Sequence, residues 1–384
     1  MNSNQKNIQV IIAGGGPAGA ATALSLNARG IKCLVIEAEM HPKFKVGETI
    51  PPNALPLFKK LGIEQLLQSN KHLVSYGNRM AWGSADYTEK SFLATHHANG
   101  WHLDRAYFEQ QLKEMVINEG IDWMEGTRII DCNEDDGYWT VNVKNETGSY
   151  SVLKCNILVD ATGKSSRIAK SLGHGRHRSD NLTGTSICLY TNGNHCPNYT
   201  FIEACPNGWW YSAPLSGNRL VLTFMTDADL LDKSMLDYDY FYSAAMNTQM
   251  VKEMLNAIEI IGHTLPVNKS ASTSNLAVSY GDNWLAVGDA AISYDPLSSY
   301  GMTSALEGGF YGGHAIADKL DGIEDSFIAY DFLICSAQAT YKEMHTHQYQ
   351  LEKRWPDEIF WKRRTGHVRK TQQLHSPIAV PVFQ

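Results

Sequence analysis

"IQVIIAGGGPAGAATALSLNARGIKCLVIEA", residues 8–38, decides the fold. Its short apolar run, Ile8 to Ile12, has the make-up of a parallel strand buried on both faces. Gly14, Gly16 and Gly19 follow as GxGxxG, and a helix-forming stretch with small Ala20 and Ala23 facing the sheet runs to a stop at Gly30. A second apolar run, Cys33 to Ile36, ends at Glu37. Gly14 makes the tight turn, Gly16 lets backbone approach a pyrophosphate, and Gly19 allows close contact between helix and strand. The helix start supplies unpaired N–H donors for phosphate. Glu37, eighteen residues beyond Gly19, can accept from a ribose hydroxyl. Together these parts read as a dinucleotide site. They do not distinguish FAD from NAD.

Two later segments bear on that choice. "CNILVDATGKSSRIAKSLG", residues 155–173, is an apolar strand running into Asp160-Ala161-Thr162-Gly163. "DNWLAVGDAAISYDPLSSYGMTSALEGGFYGGHAIAD", residues 282–318, is a strand, then Gly288-Asp289-Ala290, a proline-containing loop, Gly301 and an Ala/Gly-rich helix. Both put an acidic residue and small residues at a sheet's carboxyl edge, where ligands bind in open α/β folds. Asp289 could equally be a helix N-cap.

From about residue 7 to 330 these segments resemble the FAD-dependent monooxygenase and halogenase superfamily. The resemblance implies FAD. It places the ADP half on Gly14, Gly16, Pro17, Ala18 and Gly19 with Glu37 and Ala38. Arg105, in "WHLDRAYFEQQLKEMVINEGIDW", occupies the family's FAD-contacting arginine position, and Ile129 the position of a backbone contact to adenine. Asp289 would meet the ribityl chain and pyrophosphate. The loop from Pro296 to Gly301 and Met302 would lie along the isoalloxazine, with the Gly301 and Met302 N–H groups stabilising charge near N1 and C2=O.

"FKVGETIPP", residues 44–52, resembles the V-G-E-A/S/T-x-x-P segment of tryptophan halogenases, which brings Gly47 and Glu48 towards the flavin. "NGWWYSAPL", residues 207–215, puts Trp209, Tyr211, Ala213 and Pro214 at the positions of W-x-W-x-I-P. Two of the four agree, so the chain looks like a relative of those halogenases and not a member. Halogenation further needs a lysine and a glutamate. Val74 stands at the first position, with Lys71 three residues away, and Ser298 at the second. Losing both argues for direct oxygen transfer to an electron-rich ring. Length and motifs best resemble the flavoprotein partners of tryptophylquinone amino-acid oxidases, of lysine or glycine oxidase type, which are needed while the partner's tryptophan is modified. The alternatives are a hydroxylase or halogenase of a small aromatic metabolite, and a flavin-binding maturation chaperone without turnover.

Composition sets outer bounds. The chain has 384 residues, 43% apolar and 19% charged, which suits a soluble protein of two or three units. A net charge of −7 argues against a general nucleic-acid binder. No apolar run reaches membrane-spanning length and "MNSNQKN" lacks a signal-peptide layout, so neither membrane nor nucleic acid is expected as a partner. Seven scattered cysteines without a CxxC pair suit reduced thiols in a cytoplasm. The fourteen histidines show no metal spacing, and no metal is expected.

The expected architecture is α/β. A Rossmann-like FAD-binding domain is built from 1–70, 101–180 and 270–325, and a mostly antiparallel substrate-side sheet from 71–100 and 181–269. A helical segment, 326–384, follows. Trp209 and Tyr211 line a substrate pocket or pack in a core. Lys45, Ser298 and Gly301 are the candidates for direct roles in catalysis, with Lys45 also at the cofactor. The expected reaction is reduction of FAD by a nicotinamide or another reductant, reaction with O₂, and hydroxyl transfer to an indole. The expected partner is an amino-acid oxidase precursor. The basic, aromatic stretch 353–370 reads either as a tail closing the substrate domain or as a docking surface.

Overall fold

The structure is a computed structural model and describes residues 8–42, 44–93, 99–193 and 196–365. Strand Ile8–Ala13 lies between Cys33–Ile36 and Tyr150–Asp160, parallel to both, with Asp122–Met124 beyond Cys33–Ile36. Tyr150–Asp160 forks: its first half pairs antiparallel with Tyr138–Asn145, its last residues parallel with Trp284–Ala286. Val10, Ile11 and Ile12 are fully buried, as strands covered on both faces require. One cover is a helix pair, Pro17–Ala28 and Gly301–Leu320. Their small residues make the close approach possible: a Cβ on Gly309 would lie 2.2 Å from the Ala18 carbonyl oxygen.

The second sheet runs Ile260–His263, Leu182–Thr191, Arg219–Asp227, Gly208–Leu215, Tyr199–Cys205, Gly77–Ala81, Thr88–Ser91, with Val267–Ser270 on the other half of Leu182–Thr191. It is antiparallel except where Tyr199–Cys205 meets Gly77–Ala81. Alternation along Gly208–Leu215 sends Trp210 to one face, against Phe224 and Phe241, and Trp209 and Tyr211 to the other.

Helices Ser326–Gln350 and Ile359–Thr365 close the Trp209 face. Trp209 donates its indole N–H to the Tyr349 hydroxyl (3.1 Å), and Phe360 and Trp361 are buried beside it. Of the basic residues of this segment, Arg364 turns inward, while Lys353, Lys362 and Arg363 stay exposed. Arg364 lies 3.7 Å over the Phe360 ring and pairs with Asp227 (2.6 Å), and Arg363 pairs with Asp227 and Asp229. The described part of 353–370 thus takes the tail-closing place of its two readings, with its arginines ion-paired to Glu352, Asp227 and Asp229, and residues 366–370 lie outside the described residues. No described helix is long and apolar enough to cross a membrane. No three described His, Cys, Asp or Glu residues group to hold a metal ion.

His102, fully buried on the short strand Gly100–His102, is pushed down to about 3 by burial. The folded state therefore holds it neutral while the unfolded chain protonates it below its ordinary value near 6.5. Below that value the unfolded state binds more protons, so stability falls as pH drops. From pH 6.5 to 5 the loss from this group should be about 2 kcal/mol. Urea unfolding at the two pH values checks it, and a flat profile would mean His102 is charged in the fold.

Candidate functional site

A cavity of ≈ 720 Å³ lies where the parallel sheet's carboxyl edge faces the second sheet. That is within the range of roughly 300–1,000 Å³ of ligand pockets. Gly14 turns with φ +109°, and a Cβ there would sit 2.4 Å from the Ala161 carbonyl oxygen. A Cβ on Gly19 would fall 1.9 Å from the Gly14 carbonyl oxygen, so helix and loop touch as the motif predicts. Gly16 faces open space, with nothing within 4 Å of an added Cβ. It caps Pro17–Ala28 without a capping side chain or an acid in the first turn, which leaves N–H donors and the positive end of the helix dipole for an anion. Gly301–Leu320 begins the same way, uncapped, with Gly301 and Met302 in the cavity wall.

Glu37 lines one end of the cavity with Ala38 and Ile129. Its carboxylate is oriented by the N–H groups of Gly15 (2.6 Å) and Glu39 (2.8 Å). Farther along, Arg105 donates to the Gly47 carbonyl (2.9 Å) and to Glu109 (2.5 Å), while its buried Nε has no partner. Lys45, also in the wall, is ion-paired to the other Glu109 oxygen (2.6 Å). Burial alone would raise the Glu109 carboxyl, but Arg105 and Lys45 outweigh it and hold it below its ordinary range.

Asp289 sits in the cavity wall within the turn Gly288–Ala290, which Val287 caps, so it serves no helix as an N-cap. Burial raises its pKa, and Lys164, Arg176 and Arg105 offset this in part. Lys164 is the residue that sequence reading passed over. It follows the DATG motif directly, lines the cavity, and burial lowers its pKa against the pull of Asp289 and Asp295. Its signal was a lone cation beside a known loop, and nothing local shows that it turns inward.

Pro17, Ala18 and Pro296 also lie in the wall. Three positions differ from expectation. Glu48 is 1% exposed and buried behind the wall, where it accepts from the Tyr211 hydroxyl (2.7 Å), while Thr49 and Tyr211 face the cavity. Trp209 is sealed under Tyr349, so of its two expected places it takes the core and not the substrate pocket. Ser298 is exposed and spends its hydroxyl on the Asp295 carbonyl (2.8 Å), so Ser299, not Ser298, reaches the wall. Val74 is on a short strand, Leu73–Ser75, outside the wall.

These features fit a dinucleotide with a diphosphate and a polyol chain. The glycine cradle and two uncapped helix starts suit phosphate and electron-rich ring atoms. The orphan Arg105 Nε is a buried donor awaiting an acceptor, and Asp289 has no hydrogen bond among the described residues.

Residues 7–327 match the FAD binding domain family. The chain is 30% identical over 372 residues to "Putative FAD-dependent oxidoreductase LodB" of Marinomonas mediterranea, covering 94% of this chain and 97% of that one. It is 26% identical to the 1H-pyrrole-2-carbonyl-(peptidyl-carrier protein) chlorinase of Pseudomonas fluorescens, covering 89% and 83%. Among solved structures, the flavin-dependent halogenase CmlS superposes with a TM-score of 0.85 at 21% identity, over 96% of this chain and 69% of that one. The peptidyl tryptophan dihydroxylase QhpG superposes with a TM-score of 0.77 at 22% identity, over 97% and 81%. At those identities the two structures share the fold. With the family match spanning both sheets and the cavity between them, the chain belongs to the FAD binding domain family and is an FAD-dependent oxidoreductase.

Proposed function

We propose that this enzyme is a monooxygenase that hydroxylates an indole ring, that of a tryptophan residue in an oxidase precursor whose tryptophylquinone cofactor is being built. The observation that carries the reading is the pair Val74 and Ser298. By the sequence resemblance these stand at a halogenase's lysine and glutamate positions, neither can ionise to do that work, and both lie outside the cavity wall. The wall's Lys45 is tied to Glu109. Support also comes from the LodB relative and from QhpG, described as essential for tryptophylquinone cofactor biogenesis.

FAD, when bound, supplies electron transfer and dioxygen activation. The protein's part is placement and protons. The helix start at Gly16, with Arg105 and Lys164, would hold the diphosphate, and Asp289 the polyol. The Gly301 and Met302 N–H groups would meet the electron-rich edge of the ring system, with Thr49 and Tyr211 in the cavity wall. Lys45 fixes Glu109 and so the pose of Arg105. The electrons would come from a nicotinamide or another reductant that binds transiently.

Co-production with a candidate oxidase precursor, then peptide mass spectrometry, should show added oxygen on a tryptophan of the precursor. Free tryptophan with reductant, O₂ and bromide or chloride should give no halotryptophan. Steady halogenated product would restore the halogenase reading, and hydroxylation of a free aromatic with an unmodified precursor would favour a small-molecule substrate.

A further inference from the structure

Behind the cavity wall lies a continuous chain of buried polar side chains. Glu48 accepts from the Tyr211 hydroxyl at 2.7 Å, and that hydroxyl lies 2.9 Å from Thr49 Oγ1. Thr49 Oγ1 lies 3.3 Å from Thr200 Oγ1, which lies 3.1 Å from His102 Nε2. All five residues are at most 9% exposed; four strands contribute four of them, and Glu48 lies in the loop just before Thr49–Ile50. Only Tyr211 and Thr49 reach the cavity. Every link but the carboxyl and the imidazole is a hydroxyl that can donate either way. The chain therefore has two polarities: one runs from His102 towards Glu48, the other from Glu48 towards His102. Buried polar groups are costly unless they are used or fully paired, and Glu48 Oε2 has no partner.

We propose that Glu48 and Tyr211 form the internal proton source of this cavity, with Tyr211 the group that touches the acceptor and Glu48 a positioning and proton-holding residue behind it. This rests on the oxygen-consuming reading. Hydroxylation of a ring C–H by O₂ with a hydride donor consumes one proton and releases one water. In the step, the Tyr211 O–H bond breaks towards an oxygen-borne acceptor in the cavity. The Glu48 carboxyl proton passes to the Tyr211 oxygen, and the carboxylate left behind is reprotonated from water when the cavity opens. Burial favours the protonated carboxyl, against the Tyr211 hydrogen bond, nearby backbone N–H groups and the Arg105 charge. The other titratable groups facing it are His102, which burial holds neutral at the far end of the hydroxyl chain, and the buried Cys188 thiol.

The test uses the FAD-loaded protein with Glu48→Gln, which keeps shape, and Tyr211→Phe, which breaks the link. Infrared difference spectra of wild type against Glu48→Gln at neutral pH should show a protonated-carboxyl band that the variant lacks. This readout needs no turnover. Oxygen-consuming turnover should fall about 100-fold in both variants at pH 8 and less at pH 6, where solvent protons substitute. FAD content should be unchanged. Absence of the carboxyl band, or the same pH profile in wild type and both variants, overturns the proposal. A carboxyl band and a pH-dependent defect in O₂ consumption, with no hydroxylated tryptophan in any precursor, would sink the substrate reading and leave the relay standing.

Discussion

Alanine in place of Asp289 should leave a folded protein that binds FAD about 10- to 150-fold more weakly. The carboxylate sits in the cavity wall without a hydrogen-bonding partner among the described residues, in the turn Gly288–Ala290 that another residue caps. Truncation therefore removes no contact that the apoprotein depends on. What is lost is an acceptor for a ligand hydroxyl, and hydrogen bonds to charged groups contribute about 1.5–3 kcal/mol. An opposing effect must be weighed: without Asp289, the cations Lys164, Arg176 and Arg105 lose a countercharge and attract a diphosphate more strongly. Asp289→Asn separates the two, since it keeps an acceptor and removes the charge. Flavin fluorescence titration should rank wild type tightest, asparagine intermediate and alanine weakest. An unchanged FAD affinity in the alanine variant would show that Asp289 is not part of the cofactor site.

Local sequence patterns carried the parts of the site that a single strand–loop–helix unit determines. Gly14, Gly16, Gly19 and Glu37 fall where their spacing predicts, because a tight turn, a close approach and an acid at the next strand tip are all consequences of one βαβ geometry. Alternation in Gly208–Leu215 likewise separated Trp210 from Trp209 and Tyr211. What the residues around Trp209 could not show is the lid over it, since Tyr349 lies 140 positions away. Glu48 illustrates the same limit. Its neighbours Gly47 and Thr49 face the cavity, and the carboxylate turns to the other side, where Tyr211 meets it. Ser298 turns away from the wall because Asp295 bonds the turn's backbone and draws the Ser298 hydroxyl to its own carbonyl.

Reversing Arg364 to Glu should lower the melting temperature by about 10 °C or prevent folding, whatever its effect on a partner. Its guanidinium is 7% exposed, pairs with the 2% exposed Asp227 and lies on the Phe360 ring. Breaking a buried pair costs about 3–5 kcal/mol, because an uncompensated charge stays inside. Here a second carboxylate would also face Asp227, and Arg363 would be its remaining partner. A triple reversal of Lys362, Arg363 and Arg364 would therefore report on folding and not on docking. Lys362 is the informative position. It is 56% exposed, and its pairing with Asp357 at 3.3 Å joins it to a residue that is 95% exposed. Lys362→Glu should change stability by no more than about 0.5 kcal/mol. Because this segment closes the Trp209 face, precursor modification by Lys362→Glu should match wild type at low salt. Slower modification that recovers at high salt, with the melting temperature unchanged, would show that the outer side of this helix meets the partner after all.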